Sequence, residues 1–359
     1  MLSPDQRDLQ SSARRFLGER APSLGGFGRW QQFAELGWLG VALDEAHGGF
    51  GGPAEMTVLA QEIASALAPE PFLQAAVVPA VFLANAAPCA GFEDLLERLI
   101  AGGTAVVAAF AEPDIVPRGS VSFSRRADGV RLVGELPHVL GGAGAQFVLL
   151  TAQLDVDPNV RGIFLADADS AGVQHSSAPT IDGRQAAFFE LDGARPAAVW
   201  PDSAAALAAF GLAQDAGLLG QCAELLGLMQ RLFGLTRDYL RERRQFGQVL
   251  AEFQALRHRL ADMYAELEQA RAMLGVGIDA MGLATASARA RLLSACKLRM
   301  ARAARFIGAQ SIQLHGAIAL TQEYEVGRLY QRLLVLEKTW GDAEFHARRF
   351  VAASGDGNE

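Results

Sequence analysis

RERRQFGQVLAEFQALRHRLADM, Arg241 to Met263, is the stretch on which the reading of the chain turns. Apolar residues recur at helical spacing on both sides of it, yet its middle holds Gln245, Phe246 and Gly247, and a glycine interrupts a helix. Arginines stand at 237, 241, 243 and 244, so the interruption falls beside concentrated positive charge. On composition alone such arginines are a solvated helix face. The rest of the chain changes that reading.

Length and charge set the outer bounds. A chain of 359 residues, 50% of them apolar, can build two or three units with substantial cores and can enclose a cofactor. The formal charge of −8 and the lack of a basic run argue against nucleic acid as a partner. Cys89, Cys222 and Cys296 stand far apart in alanine-rich surroundings, which suggests reduced core residues rather than a disulfide framework or a metal site. MLSPDQRDLQ has no apolar signal core, and charge or glycine breaks the apolar runs before membrane-spanning length. These features predict a soluble, cytoplasmic protein that does not enter a membrane.

The hydrophobic period changes twice. Up to about Ile100 it is helical, as in Phe33, Leu36 and Leu39, then Val58, Leu59, Ile63 and Leu67. DEAHGGFGG (Asp44–Gly52) reads as a tight turn, since no strand, helix and lysine arrangement supports a phosphate loop. From Thr104, the runs TAVVAAF, GVRLVGEL, QFVLLTAQL, GIFLADA and AAFFELDG are separated by glycine, aspartate and proline. With no crossover helix between them, they predict a mainly antiparallel barrel or sandwich. From Ala204 helical stripes return, with Leu225, Leu228, Met229, Leu232 and Phe233 in one and Leu256, Leu260, Met263 and Leu267 in another. The fold class is α+β multidomain: a helical domain at 1–103, a β-domain at 104–201, a helical bundle at 202–353 and a frayed tail at 354–359.

In this order of zones, four landmarks resemble the acyl-CoA dehydrogenases. They are GWLGVALDEAHGGFGG (Gly37–Gly52), AFAEP (Ala109–Pro113), RRQFGQVLAEFQALRHRLADM (Arg243–Met263) and QLHGAIALTQEYEVGRLYQR (Gln313–Arg332). The third is highly specific, and the fourth supports it at the right distance. The resemblance implies an N-terminal helical domain, a middle β-domain and a C-terminal four-helix bundle. It implies FAD as cofactor, an acyl-CoA substrate, an electron-transfer flavoprotein or similar acceptor, and a neighbouring subunit that completes the cofactor site. It assigns Arg243 to the FAD pyrophosphate, a role suited to an always-protonated, planar guanidinium. Gln245, Phe246, Gln313 and Gly316 would contact the same cofactor, whereas His315 reads as a packed imidazole rather than a base.

The expected base is missing from its usual places. Abstraction of the Cα proton of a thioester needs a carboxylate. Counting from Gln313, one family position for that glutamate falls on Trp340. The other, twenty-six residues before Arg243, falls on Gly217. Glu224, two helical turns beyond Gly217 on roughly the same face, is the leading substitute. Asp215 is a weaker candidate, and Glu337, Asp342 and Glu344 read as surface or cofactor-edge residues. The β-domain also departs from the family. DIVPRGSVSF follows AFAEP, with Gly119 and Ser120 only a loose match, and His138, Val139 and Leu140 stand where a tryptophan, isoleucine and threonine usually face the flavin. The pattern is closest to bacterial α2β2 members acting on steroid or other bulky CoA thioesters, in which one subunit keeps half of each FAD site. The alternatives are a self-sufficient homotetramer, a non-catalytic structural subunit and a flavin monooxygenase of the same fold.

Overall fold

The computed structural model describes residues 2–18, 26–109, 121–200, 204–321 and 324–355. Most of AFAEP and the segment after it, with Gly119 and Ser120, lie outside the described residues, as do the last four positions of the expected tail. Contacts divide the chain into two compact units, one from residues 1–21, 57–68 and 218–359, the other from 22–56 and 69–217. Among the described residues no helix is long and apolar enough to cross a membrane.

The helices are α1 (Pro4–Gly18), α2 (Trp30–Glu35), α3 (Pro53–Ser65), α4 (Val78–Asn85) and α5 (Leu95–Ile100), then α6 (Ala204–Glu242), α7 (Gln254–Ala280), α8 (Ala286–His315), α9 (Glu325–Lys338) and α10 (Ala343–Gly355). The strands are β1 (Val106–Ala109), β2 (Val121–Arg126), β3 (Gly129–Leu140), β4 (Phe147–Leu154), β5 (Asp157–Asp167), β6 (Val173–Pro179), β7 (Gln185–Ala194) and β8 (Ala198–Trp200). A two-strand hairpin, β9 (Arg244–Gln245) and β10 (Gln248–Val249), lies between α6 and α7.

In the second unit the sheet order is β6-β7-β3-β2-β4-β5-β8, with β1 also on β4. Most pairs are antiparallel, as the short connections require, but β1 and β2 each pair with β4 in parallel. Alternate residues such as Val121, Phe123, Leu132, Leu150, Phe164 and Phe189 point into one apolar core. β3 carries a register shift between Leu136 and Val139, and His138 within it has φ +58°. A bulge of this kind re-aims one side chain of a strand. Here it exposes the imidazole, while Val139 stays buried. The helices of this unit bury Trp30, Phe33 and Trp38, and Arg29 makes paired bonds of 2.8 Å to Glu70. Leu36 lies outside that stripe at 41% exposure, because α2 ends at Glu35 and the helical period does not continue. DEAHGGFGG is a tight turn. Asp44 caps the backbone of His47, and a Cβ at Gly49 would fall 2.1 Å from the Leu43 carbonyl.

The first unit is built on α8, which packs on α7, α9 and α10. One face buries Leu293, Cys296, Lys297, Met300, Ala304, Ile307, Ser311 and His315, a 3–4 spacing that is apolar except at a few places. Cys222 and Cys296 are free and buried. The hydrogen bond with Cys222, and then burial, push the Cys296 thiol well above its usual range, so it behaves as core.

Candidate flavin-binding and catalytic site

The interruption at QFG is a β-hairpin. Arg244 pairs with Val249 and Gln245 with Gln248, leaving Phe246 and Gly247 as a two-residue loop with φ +54° and +82°. Two successive positive φ values match the twist of adjoining strands, but they strain any residue other than glycine, asparagine or aspartate. Phe246 therefore holds a strained position, and its ring is 89% exposed at the tip. Arg241, Arg243, Arg244 and Gln245 are exposed as well, and among the described residues Arg243 and Arg244 make no ion pair.

The root of this hairpin meets the second candidate element. The Arg243 N–H donates to the Tyr239 carbonyl at 2.9 Å, and the Tyr239 hydroxyl donates to the His315 carbonyl at 3.4 Å. The Tyr239 and His315 rings lie 4.5 Å apart at 30°, with Tyr324 against the other part of the imidazole at 5.3 Å. His315 is buried, and Nδ1 lies 2.8 Å from the Ser311 carbonyl. Because a carbonyl only accepts, Nδ1 carries the proton. Burial lowers the His315 pKa, partly opposed by nearby carbonyls. This is a packing residue that ends α8. Immediately after it, Gly316 turns the chain at φ +69°, with no atom within 4 Å of a notional Cβ. Gln313 and Gly316 are exposed.

These exposed groups suit an extended dinucleotide. Uncommitted guanidinium groups match a diphosphate, Gln245 and Gln313 offer amide donors and acceptors, and an open glycine turn admits close backbone approach.

Glu224 lies elsewhere. It is 2% exposed in α6, where its Oε2 accepts from Arg332 Nη2 of α9 at 3.3 Å. Eighteen residues of α6 separate it from the helix end, about 27 Å at 1.5 Å per residue. Asp215 and Gly217 are buried in the earlier part of the same helix. Glu337 is not the surface residue expected from sequence. It is 3% exposed and accepts from Arg305 at 2.8 and 2.9 Å, because its helix turn faces α8. Glu344 remains exposed and Asp342 is half-buried; Asp342 caps α10 through the Glu344 and Phe345 N–H groups at 3.0 Å.

Trp340 follows the C-terminal end of α9 with φ +54°. Next to it Gly341 has φ +94°, and a Cβ there would fall 2.3 Å from the Phe345 ring. Among the described residues, the non-glycine positive-φ positions are Leu67, His138, Phe246 and Trp340. The last three are among the places singled out from sequence for the flavin or the base. Sequence reasoning overlooked Arg332, Lys297, Tyr239 and His346. The signal for the first two was a cation on an otherwise apolar helix face, between Leu329 and Leu333 and beside Leu293 and Cys296.

Comparison with known proteins gives the same picture. Residues 3–87 match the acyl-CoA dehydrogenase N-terminal domain and 215–355 the acyl-CoA dehydrogenase C-terminal domain. The chain is 30% identical over 305 residues to acyl-CoA dehydrogenase IpdE2 of Mycobacterium tuberculosis, spanning 84% of this chain and 79% of that protein. Its fold superposes on a Tcur3481-Tcur3483 steroid ACAD variant with TM-score 0.86, 27% identity and 98% of each chain covered. The ChsE4-ChsE5 complex from Mycobacterium tuberculosis shares the fold at TM-score 0.84 and 22% identity, over 100% of this chain and 99% of that one. The chain therefore belongs to the acyl-CoA dehydrogenase family, FAD-dependent oxidoreductases of CoA thioesters.

Proposed function

We propose that this chain is the base-lacking subunit of an α2β2 acyl-CoA dehydrogenase and lends its arginine hairpin to a flavin site shared with an unlike subunit of the same family. The observation that carries the proposal is the hairpin itself. Its guanidinium groups and the Phe246 ring project from the chain, roughly 27 Å along α6 from Glu224. In this reading the segments 1–103, 104–201 and 202–353 are the family's three structural zones, and the protein works in the cytoplasm.

Bound FAD supplies the acceptor for the hydride leaving Cβ of the thioester. The residues of this chain hold and orient. Arg243 neutralises the diphosphate through paired N–H bonds, Gln245 and Gln313 add amide contacts, and Phe246 covers an apolar part of the cofactor. Gly316 lets the backbone approach closely. Trp340 has an N–H donor and no acceptor, so it takes no proton from Cα. That proton goes to a carboxylate of the unlike subunit. A bulky acyl group, as the steroid designation of one structural relative suggests, is the proposed substrate class, and an electron-transfer flavoprotein is the proposed acceptor.

Co-expression with a glutamate-bearing member of the family from the same genome tests this. The expected result is a yellow α2β2 complex by native mass spectrometry, with the chain alone colourless even after FAD is added. A yellow homotetramer that turns over acyl-CoA unaided would sink the proposal. The buried Glu224 carboxylate favours the self-sufficient alternative, but one of its two oxygens, Oε2, accepts from Arg332. Full activity in Glu224→Gln would remove Glu224 as the base of that alternative.

A further inference from the structure

α6 runs into the arginine hairpin and α8 into the Gly316 turn, and the two helices meet at those ends. Tyr239 lies in the last turn of α6, and His315 is the last residue of α8. Their rings lie 4.5 Å apart at 30°, and the Tyr239 hydroxyl donates to the His315 carbonyl at 3.4 Å. That carbonyl is among those at a helix end that lack a helical partner, and its peptide leads directly into Gly316. One side chain of α6 thus holds both a ring and the backbone at the point where the turn begins.

The hairpin is tied to the same residue. The Arg243 N–H donates to the Tyr239 carbonyl and the Leu250 N–H donates to the Arg243 carbonyl, each at 2.9 Å. The imidazole acts as a spacer between the two elements. Its Nδ1 donates to the Ser311 carbonyl, its Nε2 has no hydrogen-bond partner among the described residues, and Tyr239 and Tyr324 pack against the ring. Burial lowers the His315 pKa and raises that of Tyr324, so both are uncharged at neutral pH. An uncharged stack does not attract a diphosphate. It fixes the distance between groups that do.

We propose that Tyr239 is a positioning residue: through His315 it locks the ends of α6 and α8 together, so that Arg243 and Gln313 meet the dinucleotide at one fixed spacing. The inference rests on the functional reading above, which gives the hairpin and the turn to the same cofactor. A ligand held at two points gains from the second contact only as far as both are already in place. Without the lock, the contact made by Gln313 should therefore contribute less.

The test is a double-variant cycle on the co-expressed complex, with the FAD dissociation constant read from the fluorescence of released flavin. Gln313→Ala is expected to weaken FAD binding about fivefold in the native background but less than about twofold in Tyr239→Leu. Tyr239→Leu alone is expected to cost about tenfold. Tyr239→Phe keeps the ring contact with His315 and loses only the long hydroxyl bond, so it should recover most of that loss. An equal fold cost of Gln313→Ala in both backgrounds overturns the proposal, as does a lowered melting temperature in Tyr239→Leu with FAD binding unchanged; either outcome leaves Tyr239 a structural residue. Tyr239 is only half-buried, and if Tyr239→Leu does not fold, Tyr239→Met fills the space with a flexible chain and passes through the same cycle with the same deciding outcomes. If neither Arg243→Ala nor Gln313→Ala weakens binding, the functional reading fails and the inference with it. A chain that binds FAD without an unlike subunit refutes only the shared site, because the cycle then runs on the chain alone.

Discussion

The Glu224 carboxylate accepts from the Arg332 guanidinium at 3.3 Å, and each side chain is only 3% exposed. Two helices of the bundle, α6 and α9, are tied by a charge pair without access to water. Removing the guanidinium leaves the Glu224 carboxylate buried without its cation. Arg332→Leu should therefore lower stability by about 3–5 kcal/mol, whereas Glu224→Met with Arg332→Leu should recover much of that loss. The shift of the urea midpoint reads both, and equal losses in the single and double variants would contradict the pairing.

The exposed hairpin should separate cofactor binding from stability. Arg243→Ala in the co-expressed complex should weaken FAD retention by about tenfold, and Arg243→Lys should not restore it, because an ammonium lacks the planar fork. As the side chain is exposed, the unfolding free energy should change by no more than about 0.5 kcal/mol. Fluorescence titration of released flavin, set beside a thermal melt of the same variant, gives both numbers.

Two glycines should respond in opposite directions. A Cβ at Gly227 of α6 would fall 2.2 Å from the Gln61 carbonyl of α3, so Gly227→Ala should cost about 1–3 kcal/mol by forcing the helices apart. Gly275 lies exposed inside α7 with no atom within 4 Å of a notional Cβ, so Gly275→Ala should gain up to about 1 kcal/mol. Calorimetric melting of the two variants checks the signs.

His346 links stability to pH. Folded, it stays neutral down to about pH 3, whereas unfolded it binds a proton below its ordinary value of 6.5. Its contribution is complete above pH 6.5 and is lost as pH falls towards 3, because the unfolded state gains protons first. Melting temperature should fall between about pH 7 and about pH 5, and His346→Gln should flatten part of that slope. An identical slope in the variant would exclude His346 as its source.

The division between what was legible and what was not follows sequence distance. Helical, then β, then helical order was readable because periods of 3.6 and 2 are local properties of a few turns or pleats. The mainly antiparallel sheet followed from short connections, but the parallel pairing of β1 and β2 with β4 did not, since register is set by distant partners. The arginine, glutamine and glycine positions were proposed for the cofactor through the family resemblance of RERRQFGQ and QLHG, and the break in the helical pattern between them proved to be a strained hairpin tip.

By itself, then, the sequence determined the family through its motifs and the helical, β, helical order through short-range pattern. Only the tertiary structure decided what the buried charges do. Glu224 finds Arg332 across 108 residues, and Lys297 reaches Leu336 and Thr339 across 39 and 42. No local pattern encodes those partners, because a buried charge is satisfied by whatever group packing brings to it, and packing is a property of the whole chain.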